Sequence, residues 1–337
     1  MPDLRHFIHS VETAVARHNL GAPGAYRRWT LATRADLGPY AVGINPYGSA
    51  DAANILYTIQ RFPAAAEERD AWVRALQDMQ DPATGLFEEP THHPIHTTAH
   101  LIAALELFEA RPRYPLAALD GMRKTHELSA FLEQLDWRSN PWRESHRGAG
   151  LYAALVLAGE VNLEWEERYF KWLWDESDPE TGLLRQGKVN PIPAGGAVTI
   201  FPHLAGTFHY LFNLQYARRP LRYPERLIDT CLSLYTQGEY PLGRAISFAE
   251  VDWVYTLNRA ARQCCHRFAE AQSALLDFAN RYIPFLQSVD PETDPSFDDL
   301  HQLFGALCCL AELQAALPGH IRTHRPLRLV LDRRPFI

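Results

Sequence analysis

Apolar residues recur along this chain at i, i+3, i+4 and i+7, in stretches broken by loops rich in proline and glycine, and period-two alternation is scarce. That pattern predicts helices almost throughout. One set is expected near residues 3–18, 65–80, 115–135, 163–176, 223–237 and 267–287, and a second near 49–61, 95–110, 144–159, 203–217, 250–262 and 298–316. The first set carries surface charge, as in Glu67, Glu68, Arg69 and Asp70, or Glu164, Glu166, Glu167 and Arg168. The second carries small residues early: Ala50 and Ala52, Thr97 and Thr98, Gly148 and Gly150, Ala205 and Gly206, Gly305 and Ala306. Small residues let backbones approach closely, as crowded inner helices must. The expected architecture is therefore all-α: an (α/α)6 barrel of about six helical hairpins, a single domain over residues 1–320. The locally basic stretch 321–337 is expected to be a solvated C-terminal tail.

A sequence echo marks the repeat. Asp81-Pro-Ala-Thr-Gly-Leu86 recurs as Asp178-Pro-Glu-Thr-Gly-Leu183, and a weaker copy follows at Asp290-Pro-Glu-Thr293. Each comes directly after an aromatic or aliphatic helical run. Proline bars the residue before it from helical geometry, and glycine accepts positive φ, so each copy is helix-stop and turn chemistry. Half the spacing between copies is about fifty residues, the size of one helical hairpin.

The alternation of outer and inner helices joined by Asp-Pro-x-Thr-Gly-Leu turns resembles the α/α-toroid proteins. That group spans terpenoid cyclases, protein prenyltransferases and carbohydrate-active lyases, hydrolases and epimerases. The resemblance covers nearly the whole chain and is one of architecture, so it implies a fold and not a reaction. Signatures of particular members are missing. The protonating Asp-x-Asp-Asp of cyclases is reduced to Phe297-Asp298-Asp299, and Val254 stands two residues after Asp252 where a prenyltransferase zinc site has Cys. Cys265-His266 matches an adjacent Cys-His pair of lanthionine-synthase-like toroids but falls at the far end of its helix.

Composition narrows the function classes. The 337 residues are 47% hydrophobic and 22% charged, with a formal net charge of −7 and no long basic run, which argues against nucleic acid as a partner. No segment reaches the roughly 20 apolar residues of a membrane span. The first residues lack the basic-then-apolar order of a signal peptide. The five cysteines lie in apolar helical contexts and are expected to be reduced and buried, in a cytoplasmic protein.

In a helical ring, the segments leading into the inner helices gather at one mouth. Here they are Gly43–Asp51, His92–His100, Asp136–Arg147, Phe201–His209, Phe248–Trp253 and Pro295–His301. Helix N-termini turn free N–H groups and partial positive charge toward such a mouth. Histidine moves protons near neutral pH, and carboxylates partner it. Asp252, His146, His203, His301 and Asp299 are the candidate catalytic groups. His96, His100, Trp142, Arg143, Arg147, His209, Trp253 and Tyr47 are the candidate substrate contacts. Trp137, Trp142 and Trp253 offer flat faces for a sugar ring. Asp51, Asp298 and Glu144 stand at helix starts, where capping is the default role. Asp252 interrupts an apolar run and needs a partner, Arg259 or Arg147, or a function. His96 and His100 share a helix face, as metal ligands do, but no carboxylate or Cys follows at a ligand spacing, so no metal and no cofactor are expected.

The favoured expectation is an enzyme acting on a carbohydrate or another polyhydroxylated or anionic small molecule, by general acid–base chemistry of lyase, hydrolase or epimerase type. A terpenoid-cyclase-like enzyme would instead line an apolar cavity with Phe208, Tyr152 and Phe304. A non-catalytic binding or scaffold toroid would show Asp252 in a salt bridge and its histidines buried.

Overall fold

The computed structural model of the chain describes residues 2–30 and 32–336, and the architecture there is all-α, with one two-stranded antiparallel sheet. Twelve helices carry the fold. In chain order they are α1 (Arg5–His18), α2 (Pro46–Thr58), α3 (Ala66–Gln77), α4 (Pro94–Leu107), α5 (Thr125–Gln134), α6 (Pro141–Ala158), α7 (Leu163–Asp175), α8 (Phe201–Tyr216), α9 (Pro224–Thr236), α10 (Ala249–Ala261), α11 (Phe268–Ser288) and α12 (Leu300–Ala316). The stretch expected as one helix over 115–135 is divided into a 3-10 segment, Ala117–Arg123, and α5. The strands β1 (Ile192–Ala194) and β2 (Ala197–Thr199) form a hairpin ahead of α8, with Ile192 opposite Thr199.

Even- and odd-numbered helices are built differently. In α3 only Trp72 and Leu76 are buried, one stripe of an otherwise charged helix. In α4 nearly every residue from Ile95 to Leu107 is buried, and α10 is buried from end to end. A helix buried all round must be surrounded by others. The even helices satisfy this by packing in sequence, α2 on α4, α4 on α6, α6 on α8, α8 on α10 and α10 on α12, and α12 returns to α2. Small residues make the approaches possible. A Cβ on Gly148 would lie 1.8 Å from the Tyr210 hydroxyl, and one on Gly206 3.0 Å from the Pro141 carbonyl.

The repeated turns share one construction. The Asp81 carboxylate accepts the N–H groups of Ala83 (2.8 Å) and Thr84 (2.7 Å) and the Thr84 hydroxyl (3.0 Å). Asp178 repeats this on Glu180, Thr181 and the Thr181 hydroxyl. Gly85 and Gly182 then take φ of 75° and 74°, which only glycine adopts cheaply. The residue after each turn's leucine donates its N–H to a threonine on an even helix, Phe87 to Thr98 (2.9 Å) and Leu184 to Thr207 (3.0 Å). These two turns thus tie α3 to α4 and α7 to α8. At Asp290 the acceptor role is kept, toward Glu292 N–H and the Thr293 hydroxyl.

Two expectations change. The stretch 321–336 is not a solvated tail: Ile321, Leu327, Val330, Leu331, Arg334 and Phe336 are buried. Asp332 binds Arg259 (2.6 Å), Arg333 binds Glu106 (2.5 Å), and the Pro335 carbonyl accepts from Asn213 on α8 (2.8 Å). Arg333 is thus spent on an acid of the helical body, whereas Arg322, Arg325 and Arg328 stay exposed. The cysteines also divide. Cys231, Cys308 and Cys309 are buried in helices, whereas Cys264 and Cys265 lie in the loop after α10, with Cys265 exposed. No helix among the described residues is long and apolar enough to cross a membrane.

Candidate functional site

The N-terminal halves of four even helices bring imidazoles together. Proline at the first turn and a side-chain cap define where α4 and its neighbour α2 begin: Asn45 accepts from Gly48 N–H at α2, and His93 Nδ1 accepts from Ile95 N–H at α4. Those starts place Tyr47 in the first turn of α2 and His96 in the first turn of α4, with His100 one turn deeper. His146 comes from α6, His209 from α8 and His301 from the first turn of α12; His92 lies in the loop before α4. Ring centroids are 4.3 Å apart for His96–His146, 4.5 Å for His146–His209 and 5.1 Å for His92–His301. Tyr47 stacks on His92 at 4.3 Å and on His100 at 4.9 Å, and meets His301 edge-on at 4.6 Å.

Five of the six rings, those of His92, His96, His100, His209 and His301, are held by one nitrogen. Asp51, fully buried, accepts from His100 Nε2 (2.7 Å) through one oxygen and from His301 Nδ1 (3.0 Å) through the other. The Ser145 hydroxyl donates to the Trp142 carbonyl (2.5 Å), so it accepts from His209 Nδ1 (2.9 Å). The Thr91 hydroxyl donates to Glu89 (2.5 Å), so it accepts from His92 Nδ1 (2.7 Å) as well as from Arg28 (2.9 Å). Tyr47 hydroxyl and His96 Nδ1 share a short hydrogen bond. In His92, His209 and His301 the proton therefore sits on Nδ1, and Nε2 keeps its lone pair. Arg28 grips both oxygens of Asp299 (2.7 and 3.0 Å) and lies 5.1 Å over the Tyr47 ring.

The electrostatics follow from burial. Desolvation, joined by repulsion from neighbouring imidazoles, pushes His96 and His209 well below the ordinary histidine range and His146 down to about 3. His100 falls to about 4, with desolvation outweighing its Asp51 partner. Burial opposes the charge on Asp51, but His301 and His100 overcome it and hold the carboxyl below its usual range. Asp299 is likewise held low by Arg28 in spite of its burial. At neutral pH His96, His100, His146 and His209 are neutral bases beside a charged Asp51.

These rings line a cavity of about 260 Å³. His92, His96, His146, His209 and His301 form one side, with Trp142, Tyr240, Ser247, Phe248 and Gln302 completing it. A cleft of about 340 Å³ on the flank of α7 is lined by Phe170, Leu173, Trp174 and Leu211 and gathers no histidine.

The cavity thus takes in His96, His146, His209, His301 and Trp142 from the expected residues. His100 and Tyr47 support it from behind, and Asp299 acts as the α12 cap, accepting from His301 N–H (3.0 Å), while bound to Arg28. The other five go elsewhere. His203 is buried apart from the cluster, its Nε2 accepting from Asn190 N–H at 3.3 Å, with burial lowering it to about 4. Arg143 is exposed, and Arg147 pairs with Glu144 (2.9 Å) on the outward side of α6. Trp253 turns to the odd helices, stacking on Tyr235 at 4.5 Å and donating to the Cys231 carbonyl. Trp137 is also buried structure, donating to the Leu184 carbonyl. Asp252 is fully buried on α10, does not line the cavity, and neither carboxyl oxygen has a hydrogen-bond partner among the described residues. Burial, joined by repulsion from Glu250, pushes its pKa well above the ordinary carboxylate value. Its expected partners are taken: Arg259 binds Glu312 and Asp332. The aromatics of the apolar-cavity expectation do not line a common space either. Tyr152 packs on Tyr169 at 4.7 Å, toward α7, and Phe304 lies under Arg334.

Asp51, Arg28, Glu89 and Thr91 were not singled out for this site from sequence. Asp51 looked like a helix cap, but α2 begins at Pro46, so its side chain projects from the helix interior. Asp298 is likewise no cap; it accepts from Thr30 N–H (2.9 Å) and the Thr30 hydroxyl. No family model, curated protein or solved structure matches the chain.

Proposed function

We propose that the closed circuit of even helices inside the odd ones is an α/α toroid, and that the protein is an enzyme performing general acid–base chemistry on a small polyhydroxylated or anionic molecule, carbohydrate-derived in the favoured case. The observation that carries this is the Asp51–His301 pair at the wall of the histidine-lined cavity. A buried carboxylate that fixes Nδ1–H leaves Nε2 as an oriented proton acceptor, the same division of labour that a carboxylate–imidazole pair performs in acyl-transfer enzymes. His301 is the base in this reading. Trp142 and Tyr240 supply flat faces, and the imidazoles opposite supply hydrogen bonds. The cavity volume suits a monosaccharide-sized substrate better than a polymer. Asp252, Trp253 and His203 have no part in it, because they lie outside the cavity.

The test is turnover on a panel of sugar acids, amino sugars and polyols, followed by proton NMR. His301→Asn is expected to lower kcat about 10²- to 10⁴-fold, the usual contribution of a positioned proton-transfer group. Asp51→Asn should follow it, since the freed imidazole loses its orientation. Turnover that survives both substitutions unchanged would remove the assignment.

A further inference from the structure

We infer that His96, His146 and His209 form a binding site for a divalent transition-metal ion of the zinc class. Each ring offers one nitrogen, and these three atoms lie within 4.8 Å of one another. Three nitrogens about 2.1 Å from a tetrahedral ion stand roughly 3.4 Å apart, so inward shifts of about 0.8 Å per ring are enough to bring them onto a common ion. The ligands come from three successive even helices, which is why no spacing along the chain announced them.

Four further features fit a metal rather than a plain polar lining. First, His96 and His209 are buried and His146 is half-buried, so the three rings meet at a place shielded from bulk water. Second, the rings are supported as metal-bound imidazoles are. Ser145 takes the Nδ1 proton of His209, and Tyr47 holds Nδ1 of His96, so Nε2 is the nitrogen left over on each. Third, the charged side chains around the site, Asp51, Glu89 and Asp299 against Arg28, Arg334 and Arg143, balance in number and do not set a net positive charge against a cation. Fourth, Phe336 closes the site from beneath, its ring 4.9 Å from His96, while the opposite side faces the cavity. Three protein ligands with a side open to a cavity is the arrangement of a metal that keeps one position for water or substrate. Imidazole-only ligation selects zinc, copper, nickel or cobalt over magnesium and calcium, which require oxygen. The second trio, Asp51, His100 and His301, is at hydrogen-bonding distances and serves the first by fixing its neighbours.

This inference stands on ligand geometry and does not need the acid–base assignment to His301, so its test uses no substrate. Purified full-length protein is stripped with chelator, dialysed and titrated with Co²⁺, and the visible absorption of the bound ion is followed; Zn²⁺ is then used to displace it. A saturable signal at a single equivalent is expected. His146→Gln and His209→Gln should weaken binding more than about 100-fold, and Ser145→Ala, which removes only the support of His209, about 10- to 100-fold. His203→Asn, outside the cluster, should bind as the parent does. Circular dichroism checks that each variant is folded. Should His209→Gln fail to fold, His146→Gln, at a partly exposed position, and Ser145→Ala carry the test. No uptake by the parent protein overturns the inference. Uptake of equal affinity in His146→Gln and Ser145→Ala overturns it too, because the ion is then held elsewhere.

Discussion

Acidification should unfold this protein early, and the histidines set the pH at which it does. His18, His96, His100, His203 and His209 are all at most 3% exposed. Burial holds His18, His100 and His203 at about 4, and His96 and His209 well below the ordinary 6.5. A base whose folded pKa is depressed binds its proton more readily in the unfolded chain. Its cost is absent above 6.5 and grows as pH falls from there toward the folded value. Between about pH 7.5 and 5.5 each of the three held at about 4 removes about 1.4 kcal/mol of stability, and His96 and His209 add to the loss in the same direction. The three alone remove about 4 kcal/mol, against a typical total of about 5–15 kcal/mol. The depressed carboxyl of Asp51 does not enter this window, since its contribution is lost only below the ordinary carboxylate range near 3.8, whereas the raised carboxyls of Asp252 and Glu250 work against the histidines there, because the folded protein holds their protons more readily than the unfolded chain. The assay is urea unfolding followed by far-ultraviolet circular dichroism at both pH values, with the slope m held in common. The midpoint is expected to fall at the lower pH. His203→Asn should reduce the pH-dependent loss by about 1.4 kcal/mol, one histidine's share. A pH-dependent change that His203→Asn leaves as it was would refute the claim that this ring is buried and neutral.

Two further outcomes follow from the packing. Asp51→Asn keeps the volume but can accept from only one of His100 and His301, and should cost about 2–4 kcal/mol of unfolding free energy while shifting the His301 ring-nitrogen NMR signals; a loss below about 0.5 kcal/mol would mean the double bond is not made. Gly85→Ala places a methyl 2.0 Å from the Pro115 carbonyl at a φ of 75°, and should cost about 2–3 kcal/mol by thermal unfolding, whereas Gly121→Ala, with open space around it, should cost far less.

The helical layout was legible in the sequence because burial on all sides and burial on one stripe leave different residue patterns. The helix starts were less so, and the difference decided one role. Reading α2 from residue 49 made Asp51 a cap; starting it at Pro46, behind the Asn45 cap, moves Asp51 a turn inward and makes it the acceptor for two histidines. His203 and His209, six residues apart, were expected to face differently, and only His209 joins the cluster. Trp253 shows the converse limit. A tryptophan beside an acid near a helix start looks like a substrate platform, yet its indole packs on α9 and α11, since both faces of a fully buried helix are crowded. Periodicity tells how much of a helix is covered but not which neighbour covers each side. The stretch 321–336 hid its packing for a similar reason: its exposed arginines read as a water-seeking tail, while buried apolar residues between them and the ion pairs of Asp332 with Arg259 and Arg333 with Glu106 join it to the helical body.

The seam where α12 meets α2 has a kinetic consequence. Asp51 and His301 are 250 positions apart, and Arg28 and Asp299 are 271 apart. Contacts between such distant segments are slow to form, because the intervening chain must lose its freedom before the contact repays it. A chain that has assembled its intermediate hairpins but not joined its ends has neither bond, and His301 then swings without its carboxylate. Maturation of the cavity and completion of folding are therefore a single event, and recovery of the Asp51–His301 hydrogen bond after dilution from denaturant would time both.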